Sequence, residues 1–353
     1  MVENCYAHSL QDHPLEKWQP LSEHLRNVAR MACEFAKPFG GGGFAEVLGL
    51  QHDAGKGTQS WQAYLRHQNE IIDDFKQYYI GRVEHAIHGA QEVYEVSKEA
   101  GKLLAYCIAG HHGGLPNWAG TPESCLNERL KRRISEIGIS SQHFDLPKKL
   151  PLSIPDKKRF GFQLQFFVRM LFSCLVDADF LDTERFLDIR KATLRSGYPD
   201  LSDLRDSFWN KFNQLRNKAM ETPVNRQRET VLADCMMKAV EPSGIFSLTV
   251  PTGGGKTLAS MAFALEHAKI HRKRRIIYVI PFTSIIEQNA AVFRQMFGED
   301  AVLEHHCNFI PDETDWITRL TSENWDAPIV VTTNVHFFNS FYSRKPSKCR
   351  KLH

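Results

Sequence analysis

Ten of the 16 histidines in this 353-residue chain fall within the first 143 residues, several of them paired or next to aspartate. His24, the dipeptide His52-Asp53, His85, the pair His111-His112 and the acids of Val176-Asp177-Ala178-Asp179 follow one another in order. Any one of them is an ordinary residue. Taken together, flanked by apolar positions that turn them inward (Leu48 before His52, Ile108 before His111), they need partners that a shared metal would supply to all. An imidazole-rich donor set favours Mn, Fe, Co or Ni over Mg, which prefers oxygen. Two such ions activate a water and clamp the oxygens of a phosphodiester displacement. Lys56, one turn past His52, could neutralise the scissile phosphate; a surface lysine laying its stem on apolar neighbours is an equally good reading.

A second chemistry lies in SLTVPTGGGKTLAS, Ser247 to Ser260. A β-prone run feeds a Gly-rich turn, and Lys256-Thr257 open a helix. Such a turn cradles phosphates: the backbone N–H groups of Thr252, Gly253, Gly254 and Gly255 face the anion, Lys256 reaches its β/γ oxygens and Thr257 holds Mg²⁺.

These residues need two kinds of scaffold. Ser22 to Ala36 places Leu25, Val28, Ala29, Ala32 and Phe35 at helical spacing. Further helices are expected over 44–54, 85–98 and 101–109, and Gln163 to Leu181 is apolar nearly all round, as in a bundle core. No convincing strands precede residue 205, and the Pro- and Lys-rich piece Leu146 to Arg159 reads as a surface loop. From about Ile245 the grammar changes to strand-helix alternation: strands over 245–250, 276–280 and 329–333, helices over 256–271 and 283–296. That pattern means a parallel sheet with crossover helices. The expected organisation is an all-α domain over 1–205, a charged helical linker over 206–230 and an incomplete α/β lobe over 231–353.

Composition bounds the rest. Lys+Arg 44 against Asp+Glu 41 gives a net charge of only +3, so nucleic-acid binding would have to use local patches, as in KIHRKRR (Lys269 to Arg275) and Arg344 to Lys351. A solvated helix end and a frayed terminus are the ordinary readings of those two runs. The eight cysteines are scattered without a CxxC, which fits a reducing cytoplasm, and no run is apolar and long enough to span a bilayer.

The His/Asp series resembles the HD superfamily of metal-dependent phosphohydrolases, and HDAGKG (His52 to Gly57) is close to its signature. By that resemblance Asp53 bridges two metals. His24, His52 and an aspartate of the last helix complete one site; His85, His111 and His112 complete the other. The resemblance favours Asp179 as the last acid, since the family reads Ala-Asp followed by a hydrophobic residue; periodicity leaves Asp177 open, and His88 competes with His85. In the second half, the Pro-Thr-Gly opening, with Val250 where the general phosphate-loop pattern has Gly, resembles helicases. RIIYVIPFTSIIEQNA (Arg275 to Ala290) looks like their next motif, and VVTTNVHFFNSF (Val330 to Phe341) like the strand and helix before their acidic box.

A histidine-aspartate nuclease upstream of such a helicase lobe resembles the type I CRISPR-associated helicase-nucleases. WQPLSEHLRNVA (Trp18 to Ala29), VLEHH (Val302 to His306) and CRKLH (Cys349 to His353) place it nearest the type I-C branch. The resemblance implies a RecA-like lobe with Mg-ATP in the full-length family, and a monomer that degrades single-stranded DNA with two transition-metal ions. It also implies recruitment by an RNA-guided surveillance complex and no membrane. No acidic pair follows a β-prone strand after Lys256, so ATP turnover is not expected of these residues, and the partial sheet is expected to leave the second half weakly stable. Two rival readings are a phosphohydrolase of nucleotides or small phosphate esters and a non-catalytic binding fragment of the effector.

Overall fold

The computed structural model describes residues 5–121, 124–132, 143–152, 157–195, 197–306 and 316–353. They form two compact units: Met1–Thr193 together with Ser340–His353, and Leu194–Asn339. The boundary therefore falls at 193/194 rather than at 205, and the last fourteen residues belong to the first unit.

The first unit begins with a short antiparallel ladder of β1 (Tyr6–His8) and β2 (Gln19–Pro20), which the absence of a long alternating run had concealed. Helices follow: α1 (Leu21–Ala36), α2 (Gly42–Gln51), α3 (Gln59–Gln68), α4 (Ala86–Val96), α5 (Ala100–Gly110), α6 (Leu126–Lys131), α7 (Phe160–Leu187) and α8 (Ile189–Leu194). The α1 stripe Leu25, Val28, Ala29 and Ala32 is buried as its spacing requires. α7 is the central post: Leu171 to Asp179 are buried without a break, so the helix has no solvent face there. Leu146, Leu150 and Leu152 pack against this core, so the piece expected to be a plain surface loop is half anchored; residues 153–156 of it lie outside the described residues.

Three glycines let backbones touch where the site is built. A Cβ on Gly49 would lie 2.3 Å from Ala29 Cα, so α1 and α2 cross in backbone contact. One on Gly89 would lie 1.8 Å from the Gln51 carbonyl oxygen, and one on Gly55 2.2 Å from that of His85. Any larger residue would push these segments, and the imidazoles they carry, apart.

In the second unit, α9 (Leu201–Lys218), α10 (Pro223–Ala239), α11 (Lys256–Ile270), α12 (Thr283–Phe297) and α13 (Trp316–Asn324) surround the strands β3 (Ile276–Ile280), β4 (Val302–His305) and β5 (Ile329–Thr333). α14 (Asn334–Tyr342) leads back to the first unit, where α15 (Pro346–Cys349) lies. The sheet is parallel in the order β3-β5-β4, with β5 buried at every position. The expected linker is not one: α9 buries Leu201, Leu204 and Phe208 in this unit's core, and Thr222 caps α10 by accepting from Asn225 N–H. The strand expected over 245–250 does not form: the segment joins no sheet, and Ile245 is fully exposed. β-prone residues make a strand only where a partner offers its free N–H and C=O groups, and no described strand does so here.

Candidate metal centre and phosphate loop

α1 brings in His24, the end of α2 supplies His52 and Asp53, the start of α4 His85, the end of α5 His111 and His112, and α7 Asp179. Their donor atoms form two groups, each with all atoms within 4.8 Å of one another: His24, His52, Asp53 and Asp179; and Asp53, His85, His111 and His112. Asp53 belongs to both. Its Oδ2 lies 3.5 Å from His24 Nε2 and 3.4 Å from His52 Nε2, while Oδ1 lies 3.2 Å from His85 Nε2 and 3.3 Å from His111 Nε2. Asp179 Oδ1 completes the first group at 3.4 Å from His24 Nε2 and 3.6 Å from His52 Nε2.

The opposite edges of the rings fix their tautomers. His52 Nδ1–H donates to the Gly49 carbonyl at 2.9 Å and His111 Nδ1–H to that of Ile108 at 2.7 Å, leaving Nε2 of each ring to face inward. His24 Nδ1–H donates to Asp182 Oδ2 at 2.7 Å, an oxygen that also accepts from Gln19 Nε2–H at 2.7 Å. Nitrogens meet nitrogens: His24 and His52 Nε2 are 3.2 Å apart, and His85 and His112 Nε2 2.8 Å apart. Both Asp53 oxygens and His111 Nε2 are buried; Oδ2 meets the Lys56 ammonium at 2.7 Å, while Oδ1 faces the His85 and His111 ring nitrogens. Imidazole nitrogens and carboxylate oxygens converging in a buried cluster suit cations, so these residues fit divalent metal, and the nitrogen-rich donors fit a transition metal.

The electrostatics agree. Burial raises the Asp53 carboxyl, but the Lys56 ammonium and His52 overcome it and hold the group well below the usual carboxylate range. Burial depresses His24, yet its hydrogen bonds to Asp179, Asp182 and Asp53 outweigh that and lift it to about 10, so this position calls for positive charge. Burial lowers His85, and lowers His112 to about 3, keeping both rings neutral, as metal ligands must be. Lys56 is no surface lysine: it is buried, 2.7 Å from Asp53 Oδ2, and donates to the Ala7 carbonyl at 3.2 Å.

Asp177 does not join the cluster. Two residues from Asp179, it sits on another face of α7 and accepts from Arg350 Nε at 2.6 Å, with His353 Nε2 at 3.2 Å. Arg344 to Lys351 is correspondingly not a frayed terminus, since Arg350 and Lys351 are buried. Sequence reasoning missed Asp182, whose only signal was its place three residues after Asp179 on the same face of α7.

In the second unit, Thr252, Gly253, Gly255, Lys256 and Thr257 line a cavity of about 860 Å³ with residues of α9, α10 and α12. Gly253 and Gly255 both adopt φ of +82°, which only glycine takes without strain. Gly254 leaves no room for a Cβ, which would meet Val250 Cγ1 at 2.3 Å. Lys256 Nζ donates to the Val250 carbonyl at 2.7 Å, and the Arg228 guanidinium donates to that of Gly253 at 2.7 and 3.0 Å.

A DEAD/DEAH box helicase model matches residues 228–353. The CRISPR-associated nuclease/helicase Cas3 of Haloferax volcanii is 30% identical in an alignment over 338 residues, covering 74% of this chain and 34% of that protein. Over that stretch the chain is similar to Cas3. Its fold also matches the crystal structure of T. fusca Cas3-ATP, with a TM-score of 0.57 at 16% identity over 98% of this chain and 45% of that one. The structure of T. fusca Cas3 gives 0.56 at 15% identity, over 100% and 46%. The chain thus spans about a third of the curated relative and under half of the solved chains.

Proposed function

We propose that the first unit is an HD nuclease domain that hydrolyses single-stranded DNA phosphodiesters, and that the second is part of a RecA-like helicase lobe. The observation that carries this reading is Asp53, whose two oxygens each face a separate group of imidazoles. Two bound transition-metal ions (Mn, Co, Ni or Fe) would lower the pKa of a water and stabilise the attacking and leaving oxygens. The chain's own residues do the rest. Asp53 holds the groups in register, Asp182 orients His24, and Lys56 keeps Asp53 ionised and offers an ammonium close to the incoming phosphate. His112 is exposed and His85 partly so, which makes theirs the side from which a strand enters.

We further propose that in the longer relatives' context Mg-ATP at Thr252 to Thr257 drives the strand toward this site, with recruitment by an RNA-guided surveillance complex in the cytoplasm. For these residues by themselves we propose no ATP turnover, because among the described residues no acidic pair directly follows a strand after Lys256 to organise Mg²⁺ and activate water. None of the described helices is long and apolar enough to cross a membrane.

The test is cleavage of labelled circular single-stranded DNA with Mn²⁺, Co²⁺, Ni²⁺ or Mg²⁺, without ATP. Cleavage that needs a transition metal, stops with EDTA and disappears in Asp53→Ala is the expected result. A folded, metal-loaded protein that leaves the circle intact would overturn it; turnover of nucleotides or small phosphate esters would then favour the phosphohydrolase reading.

A further inference from the structure

The run KIHRKRR gains a shape in the fold. Lys269, Arg272, Lys273 and Arg274 line a groove of about 480 Å³ in the second unit, with Asp200 and Asp326 on its wall. Among the described residues none of the four cations forms an ion pair, and Arg272, Lys273, Arg274 and Lys269 are all exposed. The groove lies beyond the far end of α11 from the phosphate loop, a separation of roughly 22 Å for fifteen residues of helix. It also lies where β3 and β5 begin, away from the strand ends that lead into α12 and α14.

The C-terminal end of a helix favours positive charge, and that alone accounts for Lys269 in the last turn. It does not account for Arg272. This residue follows the helix with φ of +53°, while Lys273 N–H donates back to the Ala268 carbonyl at 2.8 Å to close the turn. The left-handed position after a helix is where glycine costs nothing and a residue with a Cβ is strained. An arginine is held there at a cost in stability, with its guanidinium unpaired, and Lys273 and Arg274 extend the same charge past the helix end.

We propose that this groove binds the phosphodiester backbone of a nucleic-acid strand, as a site separate from the phosphate loop. Four unpaired cations against two carboxylates give a sequence-independent, salt-sensitive contact. Two guanidinium groups, whose planar forks match phosphate oxygens, favour nucleic acid over an acidic peptide.

Arg272→Gly separates binding from folding, because it relieves the strain while removing a cation. The full chain, in EDTA and without ATP, is titrated with a labelled single-stranded oligonucleotide and with its duplex across a salt series. The expected result is a raised Tm together with weaker binding. The slope of log Kd against log salt should fall by about 0.7 per lost contact on the single strand or about 0.9 on the duplex, and the larger loss identifies the form bound. Lys273→Gln and Arg274→Gln should lower the slope in the same way. A wild-type slope in all three variants overturns the proposal, as does tighter binding of polyglutamate than of either oligonucleotide. Because metal is absent, the outcome does not depend on whether the first unit is a nuclease.

Discussion

At the scale of single residues, the site depends on which atom each side chain commits elsewhere. Asp182 touches no partner but His24 and Gln19 in the site region, yet it sets which nitrogen of His24 faces the cluster. Asp182→Asn is expected to lower metal affinity about 10- to 100-fold, measured by calorimetric titration, with little change in the melting of the metal-free protein. Arg350 makes a different case, being 4% exposed and paired with the fully buried Asp177. Arg350→Ala removes that carboxylate's guanidinium partner and leaves His353 beside it, and urea unfolding should show a loss of about 3–5 kcal/mol. The clustered side chains were legible in the sequence because His-Asp and His-His pairs beside apolar positions announce themselves. Their supports were not: Asp182, Gln19 and Arg350 act on groups far along the chain, and nothing local marks them.

At the scale of elements, helices read well wherever burial was one-sided. α1 carries its stripe openly, and α7 its unbroken apolar run. β3 and β5 were also legible, because buried parallel strands are short apolar runs bounded by turns. Residues 245–250 satisfy the same description and form no strand, since propensity supplies no partner edge. The crossing of α1 and α2 depends on Gly49, which no periodicity singles out. Gly49→Ala puts a methyl 2.3 Å from Ala29 Cα. It is expected to destabilise the first unit by about 1–3 kcal/mol in chemical unfolding, and to weaken metal binding as His24 and His52 separate.

At the scale of the whole molecule, composition and the change of grammar near residue 245 announced two kinds of architecture. They did not announce that the second unit is inserted into the first, because closure by Ser340–His353 is a long-range event. Limited digestion with subtilisin is expected to cut first within 243–250, which joins no helix or sheet and is mostly exposed, and to leave the helices of the first unit intact. Early loss of both units together would contradict this. The insertion also sets an order for synthesis on the ribosome. α7 and its Asp177 are made more than 170 residues before Arg350 and His353, so a nascent first unit lacks these two partners of the carboxylate until residues 350–353 emerge. A pause in translation between those points would hold the helical bundle open, and chaperones that bind exposed core would meet it then rather than after release.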